Sequence, residues 1–290
     1  VAAGSMSTWF EMSHGVVCMP VVTLPPLALP HHIAVGSTVF GVALRQCVSA
    51  GLLAIDPTTD MDQLEESIDV RMASELACTG VGGSLAAAAL VRRTSPTMLR
   101  RASGVFLLGV AGFLQWRMTR IMETRQLEEE MEDTFNREGP AVFANADPFW
   151  QEKAEEMVKA QGRGSNVAEV MGIGLASGVL LGYFGVGAGW MVAPVLARLA
   201  DHRAQLQSAG EATVSTRVEH ARREVLEERM RRTVAVAMVP PGIFAALAHI
   251  RLGHVAGAGY VAVPLAVGAL AGSYLGGLYL NDVELVEECN

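Results

Sequence analysis

A multipass bundle of membrane helices is the fold class the sequence predicts, and three observations carry it. The 290 residues are 51% hydrophobic and only 18% charged, where soluble domains carry about 25%. The charges are also confined: no Asp, Glu, Lys or Arg occurs in 12–44, 170–197, 233–250 or 255–281. Uncharged apolar runs of about 18 residues or more are long enough to cross a bilayer as helices. Thirdly, the alternating segments of about ten residues that a membrane β-barrel needs are absent, and no other architecture satisfies the backbone in lipid.

Taken in order, seven spans are expected: 1–24, 32–55, 70–91, 99–117, 167–200, 233–250 and 255–281. The third and fourth rest on shorter uncharged blocks, 76–91 and 102–116, which reach across when flanking Arg side chains snorkel to the interface. Between them "RRTSPTMLRR" (92–101) reads as a positive-inside loop. A hydrophilic arm, 118–166, follows; its residues 118–165 hold 11 acidic and 6 basic residues. A second polar stretch, 201–232, contains "EATVSTRVEHARREVLEERMRR", rich in Glu and Arg without Gly or Pro, and predicts a helix outside the hydrocarbon. Both arms read equally as solvated helices or as docking surfaces for protein partners, because long ordered insertions are more often functional than idle. If every span crosses once, the arms fall on opposite sides. An acidic tail, 282–290, closes the chain.

The membrane part reads as two homologous repeats, 1–117 and 167–281. With Pro20 set on Pro194, Gly4 meets Gly178, Trp9 meets Tyr183, Phe10 meets Phe184 and Gly15 meets Gly189, an offset of 174. "IAVGSTVFGVALRQCVSAG" (33–51) then matches "VAVAMVPPGIFAALAHIRLG" (234–253) at an offset of about 201, so the second repeat holds roughly 27 inserted residues. Duplication of this kind marks transporter architectures.

Glycines punctuate the second repeat in "GVLLGYFGVGAGWMVAP" (178–194). A phosphate loop needs Gly-Lys-Ser/Thr after a strand, and a dinucleotide loop needs G-x-G-x-x-G opening a helix in a βαβ unit; neither is present. Gly174, Gly178 and Gly182, and likewise Gly268, Gly272 and Gly276, stand four apart, which lets helix backbones approach. Gly185, Gly187 and Gly189 alternate instead, Pro194 follows, and the uncharged run is too long for one straight span. A broken or re-entrant helix is expected there, with a half-helix N-terminus presenting partial positive charge to an anion.

The run "SGVLLGYFGVGAGWMVAPVL" (177–196) resembles the signature of the sulfite exporter (TauE/SafE-type) permeases, in which each half carries a G-x-G-G-G stretch, a hydrophobic run and Pro, and an A-V-G-T-S-like segment opens the next span. "HHIAVGSTVFG" (31–41) is similar to that second element. The resemblance implies an all-helical permease for small sulfur-containing or organic anions, with Ser37, Thr38, Gly185, Gly187 and Gly189 among its binding residues. The chain departs from the pattern: Glu11 and His14 stand where the family is glycine-rich, Ala188 and Trp190 interrupt the second copy, "VAVAMVPPG" lacks the Ser/Thr pair and breaks its span at Pro240-Pro241, and the last span is missing. A carboxylate near an anion site opposes binding.

Arg45 lies mid-span, where a charge costs about 2.5 kcal/mol or more and needs a partner. It is expected either to bind the anion or to form a structural ion pair with Glu11 or Glu75. His14, His249 and His254 are candidate proton carriers; His31 and His32, being adjacent, face different sides of a helix and cannot chelate one ion together. Cys18, Cys47, Cys78 and Cys289 show no CxxC spacing, so no metal site or disulfide is expected. No catalytic constellation can be placed by spacing, which predicts a non-enzyme without a cofactor. The net charge of −8 argues against nucleic-acid binding.

Two functions follow from these residues. The first is a permease for a small, sulfur-containing anion. The alternative is a transport-inactive accessory subunit of a larger membrane complex, such as an organellar energy-converting assembly, docked through 118–166 and 201–232. The non-Met start is read as a removed targeting segment or an unread beginning; with the first, the location is a mitochondrial or plastid inner membrane, otherwise the plasma membrane.

Overall fold

The structure, a computed structural model, describes residues 14–23, 28–55, 68–113, 115, 119, 166–187, 189–208, 216–255 and five positions between 263 and 271. Every regular element among them is a helix: α1 (His14–Thr23), α2 (His31–Ile55), α3 (Val70–Arg93), α4 (96–113), α5 (Val167–Phe184), α6 (Gly189–Ser208), α7 (Thr216–Ala237) and α8 (Val239–Arg251). Four stretches are long and apolar enough to cross a membrane: His31–Gly51, Val70–Arg93, Val167–Phe184 and Val225–Arg251. Large apolar side chains also cover the outside. Val105 and Leu108 of α4 are 72% and 75% exposed, and Leu90, Leu175, Phe244 and Leu247 are exposed on α3, α5 and α8. Water would not tolerate such continuous apolar surface, whereas lipid tails do. The molecule is therefore a multipass helical membrane protein. Most of the expected first and last spans, 1–24 and 255–281, and most of the arm 118–166 lie outside the described residues.

Helices α3 and α5 form the closest pair, and small residues are the reason. A Cβ added at Gly174 would meet Thr79 and Leu76, one at Gly178 the Gly80 backbone, and one at Gly182 the Ser84 carbonyl and Ala87. Both residue series rise together, so the two helices run parallel. Helix α4 lies between them in sequence and returns across the layer: Phe106 stacks on Phe184 with ring centroids 4.4 Å apart. Helix α8 runs the same way as α3 and α5, with Pro241 against Gly80 and His249 beside Gly182. Helix α2 runs oppositely, with Gly36 against His254 and Ala43 and Gln46 against Gly242.

Two apolar clusters hold these elements. One joins Met72 and Leu76 of α3, Val170 of α5, Val192 and Leu196 of α6, and Leu226, Met230 and Val234 of α7. The other joins Met19 and Val22 of α1, Val35 and Val39 of α2, Val91, Leu99, Leu181 and Ala245. Pro20 and Pro194, the residues that anchor the repeat alignment, lie in α1 and α6, and each of these helices packs on the next helix but one loop along, α2 and α7.

Much of the polar stretch 211–232 is helical: from Thr216 one helix continues to Ala237, and Leu226 and Met230 are buried against the bundle. Leu226, Met230, Val234 and Ala237 recur at helical spacing on one face, while Glu227 and Arg231 face outward. Its side is also decided. Gly189, at the start of α6, lies against Val234 near the end of α7, so α6 and α7 form an antiparallel hairpin. Thr233 Oγ1 accepts a hydrogen bond from Asp69 N at 3.1 Å, placing that point of α7 at the start of α3. Helix α7 begins at Thr216, about 25 Å further out at 1.5 Å per residue. The hairpin thus extends on the side where α3 and α5 begin, which is also where the arm 118–166 joins α5.

Asp69 caps α3, its carboxylate accepting from Met72 N at 2.9 Å. Asp69→Ala is expected to cost about 1 kcal/mol, read as a lowered thermal midpoint in detergent, with Asp69→Asn largely retaining stability.

Candidate functional site

The uncharged run 170–197 does not form one rod. Helix α5 ends at Phe184; Gly185 N still bonds Leu181 O at 2.9 Å, and Gly185 then turns left-handed, φ 70°. Gly185, Val186 and Gly187 are non-helical and buried, and helix resumes at Gly189. Since α6 is antiparallel to α7 and α7 leads into α8, which runs with α5, the chain reverses direction at this break. Gly182 lies opposite Ser84 and Ala87, while α3 continues to Arg93, about 9 Å further along.

Of the expected binding residues outside the break, Thr38 is brought against it. Thr38 Oγ1 and the Val35 carbonyl abut Gly185, so that a Cβ at Gly185 would strike the hydroxyl. Thr38 Oγ1 donates within its own helix, 3.0 Å from Ala34 O and 2.9 Å from Val35 O. Ser37 is fully buried and its Oγ has no partner. A buried hydroxyl without a partner is unusual and calls for a missing ligand group or a functional reason. Gly187 is buried in the break, and Gly189 begins α6, whose first-turn N–H groups have no intrahelical acceptor.

Arg45 is set apart. It follows Thr38 by seven residues on α2, about 10 Å along the axis, and is half-buried. It makes no ion pair among the described residues. Glu75 instead pairs within its own helix, Arg71 Nε donating to Oε1 at 3.1 Å, since residues four apart share a helix face. Glu11 lies outside the described residues.

Two of the candidate proton carriers, His249 and His254, are also brought near the break. His249 Nε2 lies 2.9 Å from Gly182 O, and His249 Nδ1 lies 3.0 Å from His254 Nδ1. His249 is wholly buried and His254 nearly so. The end of α8 makes this possible: Gly253 is left-handed, φ 72°, His254 N bonds His249 O at 3.0 Å and Gly253 N bonds Ile250 O at 3.0 Å. This is a Schellman turn, which folds the residue after the glycine back onto the helix. The "R-L-G-H" at 251–254 was the available signal. His32 meets the His254 ring edge-on at 5.5 Å, and His31 Nε2 lies 2.9 Å from Ser103 Oγ.

A membrane helix that stops at Gly185 and gives way to a reversed helix at Gly189 is a form of backbone that transporter folds use. The profile of the family described as sulfite exporter TauE/SafE matches residues 1–216, and the chain belongs to that family of membrane transporters. No curated protein and no solved structure matches the chain.

Proposed function

We propose that the chain is a permease for a small sulfur oxyanion, taken up where α5 breaks against α2. The observation that carries this is Ser37 Oγ, fully buried and without a partner, one residue before Thr38, whose hydroxyl abuts Gly185. An oxyanion supplies the acceptor that this hydroxyl lacks, and the first-turn N–H groups of α6 supply partial positive charge. Thr38 contributes through its oxygen's position on the Gly185 backbone rather than through its proton, which is spent on its own helix. Arg45 serves the pathway below the break, not the cradle itself. The test is sulfite flux into proteoliposomes. Saturable flux is expected, with Ser37→Ala weakening it about tenfold, the order of one hydrogen bond to a charged group, and Gly187→Leu abolishing it by filling the break. Absence of saturable flux in the unaltered chain overturns the reading.

A second reading draws on the α6–α7 hairpin, which reaches beyond the start of α3 on the side where 118–166 joins the bundle. There the two arms together would dock a transport-inactive subunit into a larger assembly of an organellar inner membrane. Migration as a lone monomer or dimer in native electrophoresis from the source membrane counts against it.

A further inference from the structure

We propose that His249 and His254 form a one-proton site coupled to the anion cradle, with His254 Nε2 as the atom that takes the proton. The geometry fixes the tautomers. A carbonyl oxygen can only accept, so His249 Nε2, 2.9 Å from Gly182 O, carries a hydrogen and donates it. Neutral His249 then has a bare Nδ1. The two Nδ1 atoms stand 3.0 Å apart, so His254 donates Nδ1–H across that gap. Neutral His254 is left with a bare Nε2. One more proton enters there without breaking either hydrogen bond. A proton added to His249 instead would set two N–H groups face to face. The pair therefore holds a charge of zero or plus one, and the proton comes from the aqueous side and leaves to it with no other group changed.

The site touches the cradle directly. The His254 backbone packs on Gly36, the neighbour of Ser37, and His249 holds the carbonyl of Gly182, three residues before Gly185. The titratable and charged groups facing the pair are His32 from α2 and Arg92 from α3; α5 presents the Gly182 carbonyl. Each of these neighbours disfavours or fails to stabilise a cation on His254. An anion beside Ser37 reverses that balance, and by linkage the proton then strengthens anion binding by the same factor. Proton and anion load together. This coupling rests on the anion reading of the cradle; the tautomer arrangement does not.

The test uses the full chain in nanodiscs with ¹⁵N-labelled histidine, ring signals being assigned by His249→Gln and His254→Gln. Without sulfite, His254 Nε2 is expected to pass from bare to protonated at a midpoint below the ordinary histidine value, because burial and then His32 and Arg92 disfavour the cation, while His249 keeps its Nε2–H neutral form throughout. Saturating sulfite is expected to raise the His254 midpoint by about one pH unit, a tenfold mutual effect. In proteoliposomes, His254→Gln is expected to remove the pH dependence of sulfite flux. Protonation of His249 before His254, or two independent titrations, overturns the one-proton site. Sulfite flux together with a His254 midpoint that sulfite does not move overturns the coupling and leaves the permease standing. No saturable flux and no sulfite effect, with the one-proton titration intact, overturns the permease reading and the coupling with it.

Discussion

Gly185→Val is expected to abolish sulfite flux and to lower stability by about 3 kcal/mol. Two separate penalties meet at this residue. Its φ of 70° is left-handed backbone, which costs a residue with a Cβ about 1–2 kcal/mol and is least tolerated by β-branched side chains. A Cβ there would also strike Thr38 Oγ1 and stand 3.0 Å from Val35 O, and forced overpacking costs about 1–3 kcal/mol. Gly253→Ala separates the two penalties. Gly253 has φ 72° but nothing within 4 Å of the added methyl, so strain alone remains and the loss is expected to be about half as large. Thermal unfolding in detergent reads both. Equal losses would show that the contact between the break and α2 carries no weight.

Gly178→Leu is expected to separate α3 from α5 and leave little folded protein. The obstruction is backbone: a Cβ at Gly178 would meet the carbonyl O, C and Cα of Gly80, and backbone cannot rotate aside as a side chain can. Helices in lipid gain nothing from hiding apolar surface, so their association depends on such close approach. Gly172→Leu is the matched control, since nothing lies within 4 Å of it and a leucine added there points into lipid-like surroundings. Recovery of monodisperse protein by size exclusion should fall sharply for the first variant and hardly change for the second. Comparable recovery of the two would remove the parallel glycine contact as the main fastening of the bundle.

Much of this was legible in the residues. Helices α2, α3 and α5 match the expected spans 32–55, 70–91 and 167–200 to within two residues at each start and end, except that α5 stops at Phe184. The alternation Gly185, Gly187, Gly189 marked the place where helix gives way, because glycine tolerates the left-handed turn that closes α5. Gly174, Gly178 and Gly182 marked the packing face. Ser37 and Thr38 were singled out by the family resemblance of 31–41, and Thr38 is the one seen against Gly185. What could not be read was direction and company. Whether the chain continued or turned back after Gly189 depends on the contact of Gly189 with Val234, far away in sequence. Arg45 and Glu75 each sit in an apolar segment, which made a pair plausible; the distance between them is set by helix register, and Arg71, one turn away, had the shorter reach to Glu75. His249 and His254 stood out singly as candidate proton carriers, but their pairing appears only when the Gly253 turn folds one onto the other.

Composition and charge spacing by themselves settled that this chain lies in lipid as helices, where those helices run, and which glycines interrupt or fasten them. These are local properties, set by what each stretch of backbone and side chain can do in hydrocarbon. Only the tertiary structure decided that the break reverses the chain, that the α6–α7 hairpin extends on the side where α3 and α5 begin, that Leu226 and Met230 of α7 are buried, and that His249 and His254 come within 3.0 Å of one another. In a membrane helix nearly every face is apolar, so periodicity does not say which face meets which neighbour, and those contacts arise only when distant segments are packed together.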